Sequence, residues 1–445
     1  MAVVVGAHAG ESSLGAREEE GRRPSLLFVN QHYWPDVAST GQHLADLAEH
    51  LAAAGFEVSV LASRGQYVKG KIPAPLEEVR HGVTIRRIRT TGFGRARHLG
   101  RLMDYATFYL QALGALLGGS KRYDGVVFLT TPPLLSFLGA IAKRLRGQRY
   151  GVWSMDLHPD AEIASGMLRR ESLGARMLEW MNGVGYRQAD FIVDLGAHMK
   201  ARIVAKGVRP ELTHTVHVWN RKEEVEPTAR EANPVIDELG VRDKFVVMYS
   251  GNAGLVHEFG PILEAMRLTK GDARLFWLFV GDGPRRGEIE RFIAEHEITN
   301  AMYRGYFPRE QLRHSLSVGD AHLISLRSQF VGISVPGKLY GIMASGRPAI
   351  FVGPERSESG ETVLEAGCGI VVDPSSQGAA ARIVETVRGW KERPETAAAM
   401  GARGREAFLS SYERQACCER WGAVIDGEWG ARRASASGRQ RKGGG

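Results

Sequence analysis

The sequence predicts an α/β protein made of two doubly wound halves, and three observations carry that prediction. From Ser25 to Val218, short apolar runs alternate with segments whose apolar residues recur at helical spacing. A charged, proline-bearing stretch, RKEEVEPTAREANP from Arg221, breaks the alternation and reads as a linker. The pattern restarts at Phe245. With 445 residues, 43% of them hydrophobic, the chain can fill two cores, each of roughly 150–200 residues. The organisation expected is a tail (1–23), a first domain (24–219), a linker (220–240), a second domain (241–408), a last helix (409–430) and a basic Gly/Ser-rich tail (431–445), both tails disordered.

In the first half, SLLFVN (Ser25–Asn30) reads as a strand. The loop QHYWPDVASTGQ, the helix HLADLAEHLAAA stopped by Gly55, and the strand FEVSVLA (Phe56–Ala62) complete a βαβ unit. Ser39, Thr40 and Gly41 stand just before its helix, where backbone amides can meet a phosphate. The loop lacks Gly-x-Gly-x-x-Gly, which argues against a nicotinamide dinucleotide. His81–Thr90 reads as a strand. Arg80, Arg86, Arg87, Arg89, Arg95, Arg97 and Arg101 form an acid-free basic run before an apolar, aromatic helix, Leu102–Leu117, a pairing that suits an anionic membrane surface. Strands are expected at Tyr123–Leu129, Arg149–Met155, Ala189–Leu195 and Thr215–Val218. The second of these runs, Arg149–Met155, leads into Asp156, His158 and Asp160, placed to face a ligand at a strand's C-terminal end.

In the second half, FVVMYS (Phe245–Ser250) leads into Gly251-Asn252-Ala253-Gly254, and the strand Arg274–Val280 leads into Gly281-Asp282-Gly283-Pro284. Helices are expected at Arg286–His296, Arg309–Val318, Ala379–Trp390, Glu395–Leu409 and Ser411–Trp429. Between them, Ala321–Leu326 reads as a buried strand, Gly337–Ala344 as a helix of small residues and Ala349–Val352 as the next strand. Lys338, at the start of that helix, adds a cation where free N–H groups already favour an anion. The stretch from Ser325 to Val372 is therefore expected to grip a phosphate-bearing donor.

Composition narrows the class further. The formal net charge of +8 suits acidic small molecules or anionic lipid, but no motif presents the basic residues to a nucleic-acid groove. The three cysteines, Cys368, Cys417 and Cys418, have neither metal-ligand nor disulfide-framework spacing, which points to a reducing, cytoplasmic compartment. No signal peptide and no apolar run of about twenty residues is evident.

Several ordered segments resemble the retaining family-4 glycosyltransferases of GT-B fold, over roughly Leu26 to Trp429, in particular the bacterial surface-polysaccharide, colanic-acid-type branch. They are the proline-bearing loop and Gly41 before LAEHLAAAGFEVSVL, then ADFIVDLGAHMKARIVAKGV, YSGNAGLVHEFGPILEAM, LFVGDGP and PGKLYGIMASGRPAI. The resemblance implies two Rossmann-like domains facing across a cleft, a C-terminal helix returning to the first domain, and a nucleotide-diphosphate sugar, UDP or GDP type, held by the second. It implies sugar transfer with retention to an acceptor hydroxyl (a glycan, a polyprenyl-linked sugar or another small molecule), with no metal or other cofactor. The chain would then work in the cytoplasm, with peripheral contact at the inner face of the membrane. A nucleotide-sugar 2-epimerase and a non-catalytic binding subunit of the same fold are the alternatives.

The resemblance also implies site residues. Donor contacts fall on Gly251, Asn252, Gly254, His257, Gly281, Gly283, Arg327, Pro336, Lys338, Tyr340, Glu358 and Glu361, and catalytic roles on Asp156, His158 and Lys338. Asp156 or His158 would orient the acceptor hydroxyl or take its proton. The sequence departs from the family at two pairs. Asn252 and His257 stand where the family has an Arg and a Lys on the diphosphate, and Ile333 and Gly341 stand where it has a Glu-x7-Glu pair. Lys338, with Arg327 second, is the cation available for the diphosphate, and Glu358 or Glu361 the replacement carboxylate.

Overall fold

A computed structural model describes residues 23–36, 38–64, 74–91, 93, 98–119 and 121–430. Residues 1–22 of the tail expected at 1–23, the tail expected at 431–445, and Arg95 and Arg97 of the basic run lie outside the described residues. Residue contacts divide the chain into two compact units. The first takes the chain up to Phe128, Ile141–Gly151 and the stretch from Gly422; the second takes Leu129–Ala140 and Val152–Trp421.

The first unit opens with β1 (Ser25–Val29), α1 (Ser39–Ala53), β2 (Glu57–Ser63), β3 (Glu77–Arg80), β4 (Val83–Ile88), α2 (His98–Gly118) and β5 (Gly125–Phe128). The strand order is β3-β4-β2-β1-β5, followed by β6 (Tyr150–Trp153), in which the chain passes into the second unit. β1 runs parallel to β2 and β5, and β2 parallel to β4. Every residue of β1 is buried, as a strand covered on both faces requires. α1 buries Leu44, Leu47, Ala48 and Leu51, spaced as one helical face. β3 was not foreseen. It is an antiparallel edge strand joined to β4 through His81 (φ 47°) and Gly82 (φ 78°), the positive-φ pair of a two-residue hairpin. It also spends part of the basic run. Arg80 pairs with Glu49, Arg86 with Glu77 at 3.6 Å and the buried Arg87 with Glu78 at 2.6 Å, so these three arginines are not a free basic stripe.

α3 (Leu135–Arg146) precedes β6. The second unit continues with α4 (Asp160–Ala164), α5 (Leu173–Arg187), β7 (Phe191–Asp194), α6 (Ala197–Ala205) and β8 (Thr213–Thr215). β8 runs parallel to β7 and is displaced from the expected Thr215–Val218; Val216 and Val218 are buried without entering the ladder. After α7 (Pro234–Leu239) come β9 (Phe245–Ser250), α8 (Gly260–Leu268), β10 (Leu275–Val280), α9 (Arg286–Glu295) and β11 (Ala301–Arg304). Then follow α10 (Leu312–Leu316), β12 (Ala321–Ser325), α11 (Lys338–Ala344), β13 (Ala349–Val352), α12 (Glu358–Glu365) and β14 (Gly369–Val372). These six strands make a sheet of order β11-β10-β9-β12-β13-β14, parallel at each pairing.

Both faces of this sheet are buried, with the two-residue alternation of a strand. Val247, Tyr249, Trp277 and Phe279 pack on one side; Val246, Met248, Phe276 and Leu278 pack on the other, with Val235 and Ile236 of α7. α7 is a short helix inside the expected linker. Asn233 caps its start by accepting from Val235 N at 3.1 Å, Pro234 opens it, and Gly240 (φ 63°) closes it. Just before it, Arg230 reaches Asp320 at 2.9 Å and three backbone carbonyls.

α13 (Ala379–Glu392), α14 (Pro394–Ala407) and α15 (Arg414–Ile425) end the described chain. The single helix expected over Ser411–Trp429 is broken. A π-turn, Phe408–Tyr412, ends at Glu413, which is extended (ψ 145°); α15 starts beyond it and ends in a second π-turn, Asp426–Gly430. Glu413 accepts from Gln415 N at 2.8 Å, a cap in mid-segment that the apolar spacing conceals. Likewise the helix expected over Arg309–Val318 is a 3-10 turn, Arg309–Gln311, followed by the short α10. In the first unit Trp429 lies against β5, where a Cβ on Gly125 would come within 2.1 Å of its ring. Among the described residues no helix is long and apolar enough to cross a membrane.

Candidate active site

In the second unit, the loops after β9 and β10 leave the C-terminal ends of neighbouring strands and lock together. Ala253 N donates to Asp282 O at 2.7 Å, and Arg285 N donates to Ala253 O at 3.0 Å. The interlock needs glycine. A Cβ on Gly283 (φ 138°) would stand 2.5 Å from Asn252 Oδ1, and one on Gly251 (φ 127°) 2.6 Å from Lys338 Cε. Gly281 and Gly254 lie in the same two loops.

Lys338, the first residue of α11, reaches back into this knot. Its Nζ donates to Tyr249 Oη, to Asn252 O at 3.0 Å and to His257 Nε2 at 3.2 Å, and it lies 4.0 Å from the Tyr249 ring centre. Burial holds the amine well below its ordinary pKa. His257 Nδ1 lies 2.7 Å from Ser325 O; that carbonyl only accepts, so Nδ1 carries the hydrogen and Nε2 presents a lone pair. Burial, and then the neighbouring Lys338, push His257 down to about 3, so it is neutral. Two stretches far apart in sequence, 249–257 and the start of α11, thus meet at one amine.

The other expected donor residues fall elsewhere. Arg327 lies 3.6 Å from Glu258 and is not in the Lys338 cluster. Pro336 is buried just ahead of α11. Tyr340 is fully buried, 3.4 Å from His217 Nδ1, with its ring 4.6 Å from that of Tyr412. Ser39, Thr40 and Gly41 form the first turn of α1 in the first unit. There a Cβ on Gly41 would stand 3.0 Å from the His32 carbonyl, so close packing already accounts for that glycine.

At the end of β6, Asp156 makes a bridge with Ser334 of the β12–α11 loop, and Leu157 N donates to Ile333 O at 3.0 Å. Burial raises the Asp156 carboxyl, partly offset by His158. His158 Nδ1 lies 2.8 Å from Glu162; burial opposes its charge, but the Glu162 carboxylate raises it on balance. Asn182 donates to His158 O at 2.6 Å. Ile333 is buried, and a Cβ on Gly341 would stand 3.6 Å from Asn220 Nδ2; neither position offers a carboxylate.

Glu358 and Glu361, in the first turn of α12, are engaged by α6. Glu358 Oε2 accepts from His198 N at 3.4 Å, and Glu361 Oε1 lies 3.0 Å from His198 Nε2. Nearby, Asp194 accepts from Gly196 N and Thr215 Oγ1, and burial pushes its carboxyl up to about 7. Tyr249, Ser334, Glu162 and His198 all belong to this architecture and were not singled out from the sequence. Glu162 alone left a signal there, four residues after His158 and so on its face of a helix.

Residues 40–219 match the family model of the glycosyl transferase 4-like domain. A probable glycosyltransferase of Pseudomonas aeruginosa, WbjE, is 27% identical over 272 residues, covering 61% of this chain and 68% of its own length. The chain is a glycosyltransferase of GT-B fold. A putative colanic acid biosynthesis glycosyl transferase of Escherichia coli K12, WcaI, is 22% identical over 362 residues, covering 79% of this transferase and 89% of its own length. Among solved structures, Anabaena HepE in complex with UDP-glucose superposes with a TM-score of 0.67 at 12% identity, covering 91% of the transferase and all of HepE. The surface-polysaccharide branch expected from the ordered motifs agrees with these relatives.

Proposed function

We propose that this glycosyltransferase moves a hexosyl or N-acetylhexosaminyl group from a UDP- or GDP-linked sugar to an acceptor hydroxyl with retention and without a metal, and that the donor diphosphate lies over Lys338. The observation that carries this is the convergence of Lys338 with the glycine loops of β9 and β10. The reaction must stabilise a departing diphosphate and an oxocarbenium-like sugar. A cation at the N-terminus of a helix, beside loops whose glycines let backbone amides come close, suits the first demand. Residues 241–408 would then serve as the donor half and 24–219 as the acceptor half.

Asp156 is the group proposed to orient the acceptor hydroxyl, with His158 held in place by Glu162 and Asn182. In a front-face retaining reaction the leaving phosphate can accept the proton, so Asp156 need only position. The name of WcaI, a colanic acid biosynthesis glycosyl transferase, supports a role in polysaccharide synthesis, and the HepE complex supports a UDP-sugar donor. Peripheral membrane contact is proposed for α2, which exposes Leu102, Met103 and Leu110 beside Arg101. Incubating the purified chain with UDP-, GDP- and dTDP-sugars and a membrane lipid extract, with transfer read by mass, tests donor and acceptor together. Failure of every donor to give a sugar-bearing product would overturn the proposal.

A further inference from the structure

Each of the three partners of Lys338 Nζ is an acceptor, and none carries charge. Tyr249 Oη donates its own hydrogen to Asn252 O at 2.8 Å, which leaves an oxygen lone pair for the amine. His257 presents Nε2 because its Nδ1 hydrogen is spent on Ser325 O. Asn252 supplies a carbonyl. Three acceptors match the three hydrogens of an ammonium, so the cradle fits the charged form; what it lacks is an opposite charge.

The surrounding charged groups are committed elsewhere. Asp282, beyond β10, turns its carboxylate to Gly283 N at 2.8 Å. Arg285, before α9, pairs with Glu288 and donates to His257 O, which places a like charge near the cradle. Beyond β12, Arg327 faces Glu258. Tyr303 of β11 stacks on Phe279, with its hydroxyl held neutral by burial. Among the described residues no carboxylate lies within ion-pair reach of Nζ. A desolvated ammonium without a counter-ion is disfavoured, and burial correspondingly lowers the amine's basicity.

We propose that Lys338 waits in the empty site as a neutral amine and takes one proton from solvent when a nucleoside diphosphate arrives, so that donor binding is coupled to proton uptake. This rests on the proposed seating of the diphosphate over Lys338. The diphosphate supplies the missing negative charge, the ammonium forms, and the three neutral acceptors are already placed for its hydrogens. Donor affinity then falls as pH rises through the window between the free and the bound state of the amine, by up to about tenfold per pH unit.

Titration calorimetry of the full chain with UDP and with GDP, in buffers of different ionisation enthalpy near about pH 8.5, tests this. The terminal phosphate, with a second pKa of about 6, is then fully ionised and does not titrate. The expected result is uptake of up to one proton by wild type with at least one nucleotide. Lys338→Arg, always charged, should bind with no uptake, and Lys338→Met should bind at least about tenfold more weakly. Tight wild-type binding that Lys338→Met weakens, but without proton uptake, overturns the coupling and leaves the diphosphate seat standing. Equal binding by wild type and Lys338→Met overturns the seat itself, and so does failure of both nucleotides to bind.

Discussion

Glu358 fills the space that a side chain on residue 196 would need: a Cβ built on Gly196 would come within 1.7 Å of Glu358 Cδ. The carboxylate stands at the first turn of α6, against His198 N, where free backbone N–H groups favour an anion. A helix that begins after β7 is thus capped by an acid that begins the helix after β13. Gly196→Ala should force Glu358 out and cost about 1–3 kcal/mol of unfolding free energy in urea titration. Gly196→Ala with Glu358→Ala should recover part of that loss, the backbone strain of φ 159° at residue 196 remaining. A double variant no more stable than Gly196→Ala would show that the clash is not the cause.

Lys338→Met should reduce donor-dependent transfer by about 100-fold or more, read as kcat/KM for the donor. The same change should stabilise the fold. The amine's folded pKa is depressed, so the unfolded chain binds more protons over the window from the folded pKa up to the ordinary value, and at neutral pH the lysine weakens the native state. A gain of about 0.5–2 kcal/mol is expected at pH 7. A destabilised Lys338→Met would mean that the amine's hydrogen bonds outweigh its burial.

Asp156→Asn keeps the backbone bridge to Ser334 and removes the carboxylate. Transfer should fall by about 100-fold, with the thermal midpoint nearly unchanged, if Asp156 orients the acceptor hydroxyl. Full activity in this variant would move the acceptor contact elsewhere.

Asp194 gives a stability signature with pH. Burial raises its carboxyl to about 7, so the folded chain holds a proton that the unfolded chain has already lost. Stability from this group is present in acid and is lost as pH rises from about 4 to about 7. Asp194→Asn, which keeps an oxygen for Gly196 N and Thr215 Oγ1, should flatten that slope. Urea midpoints of wild type and variant across this range check it; parallel curves would place the titration elsewhere.

Arg230 ties the segment before β9 into the second unit through Asp320 and the carbonyls of Val241, Arg242 and Lys244. Arg230→Met should cost about 3–5 kcal/mol, because it leaves Asp320 partly buried and unpaired. Arg230→Met with Asp320→Asn should cost less than Arg230→Met alone, measured by chemical denaturation.

Much of this architecture was written in local pattern. Continuous apolar runs such as FVVMYS and LFWLFV suit strands covered on both faces, and the helical spacing between them suits a parallel order. The order of weak motifs was enough to indicate a GT-B glycosyltransferase. Devices without an apolar period escaped notice: the β3 hairpin, the short capped α7 and the break at Glu413.

The sequence by itself determined the alternation of strands and helices, the glycine loops at the strand ends, and the presence of a lysine at the start of α11. The resemblance also set Asn252, His257, Ile333 and Gly341 at the positions where two donor-binding pairs were expected. Only the tertiary structure decided what those facts mean together. Asn252, His257 and Lys338 are separated by up to 86 residues, and no local rule links them. The parallel sheet does, because it delivers the loops after β9, β10 and β12 to one edge, where a side chain from α11 can span the gap that Gly251 leaves open. Glu358 likewise reads as an exposed helix-start acid until the fold sets α6 against it. Charge is visible residue by residue in a sequence, but a charge's partner is a property of the fold.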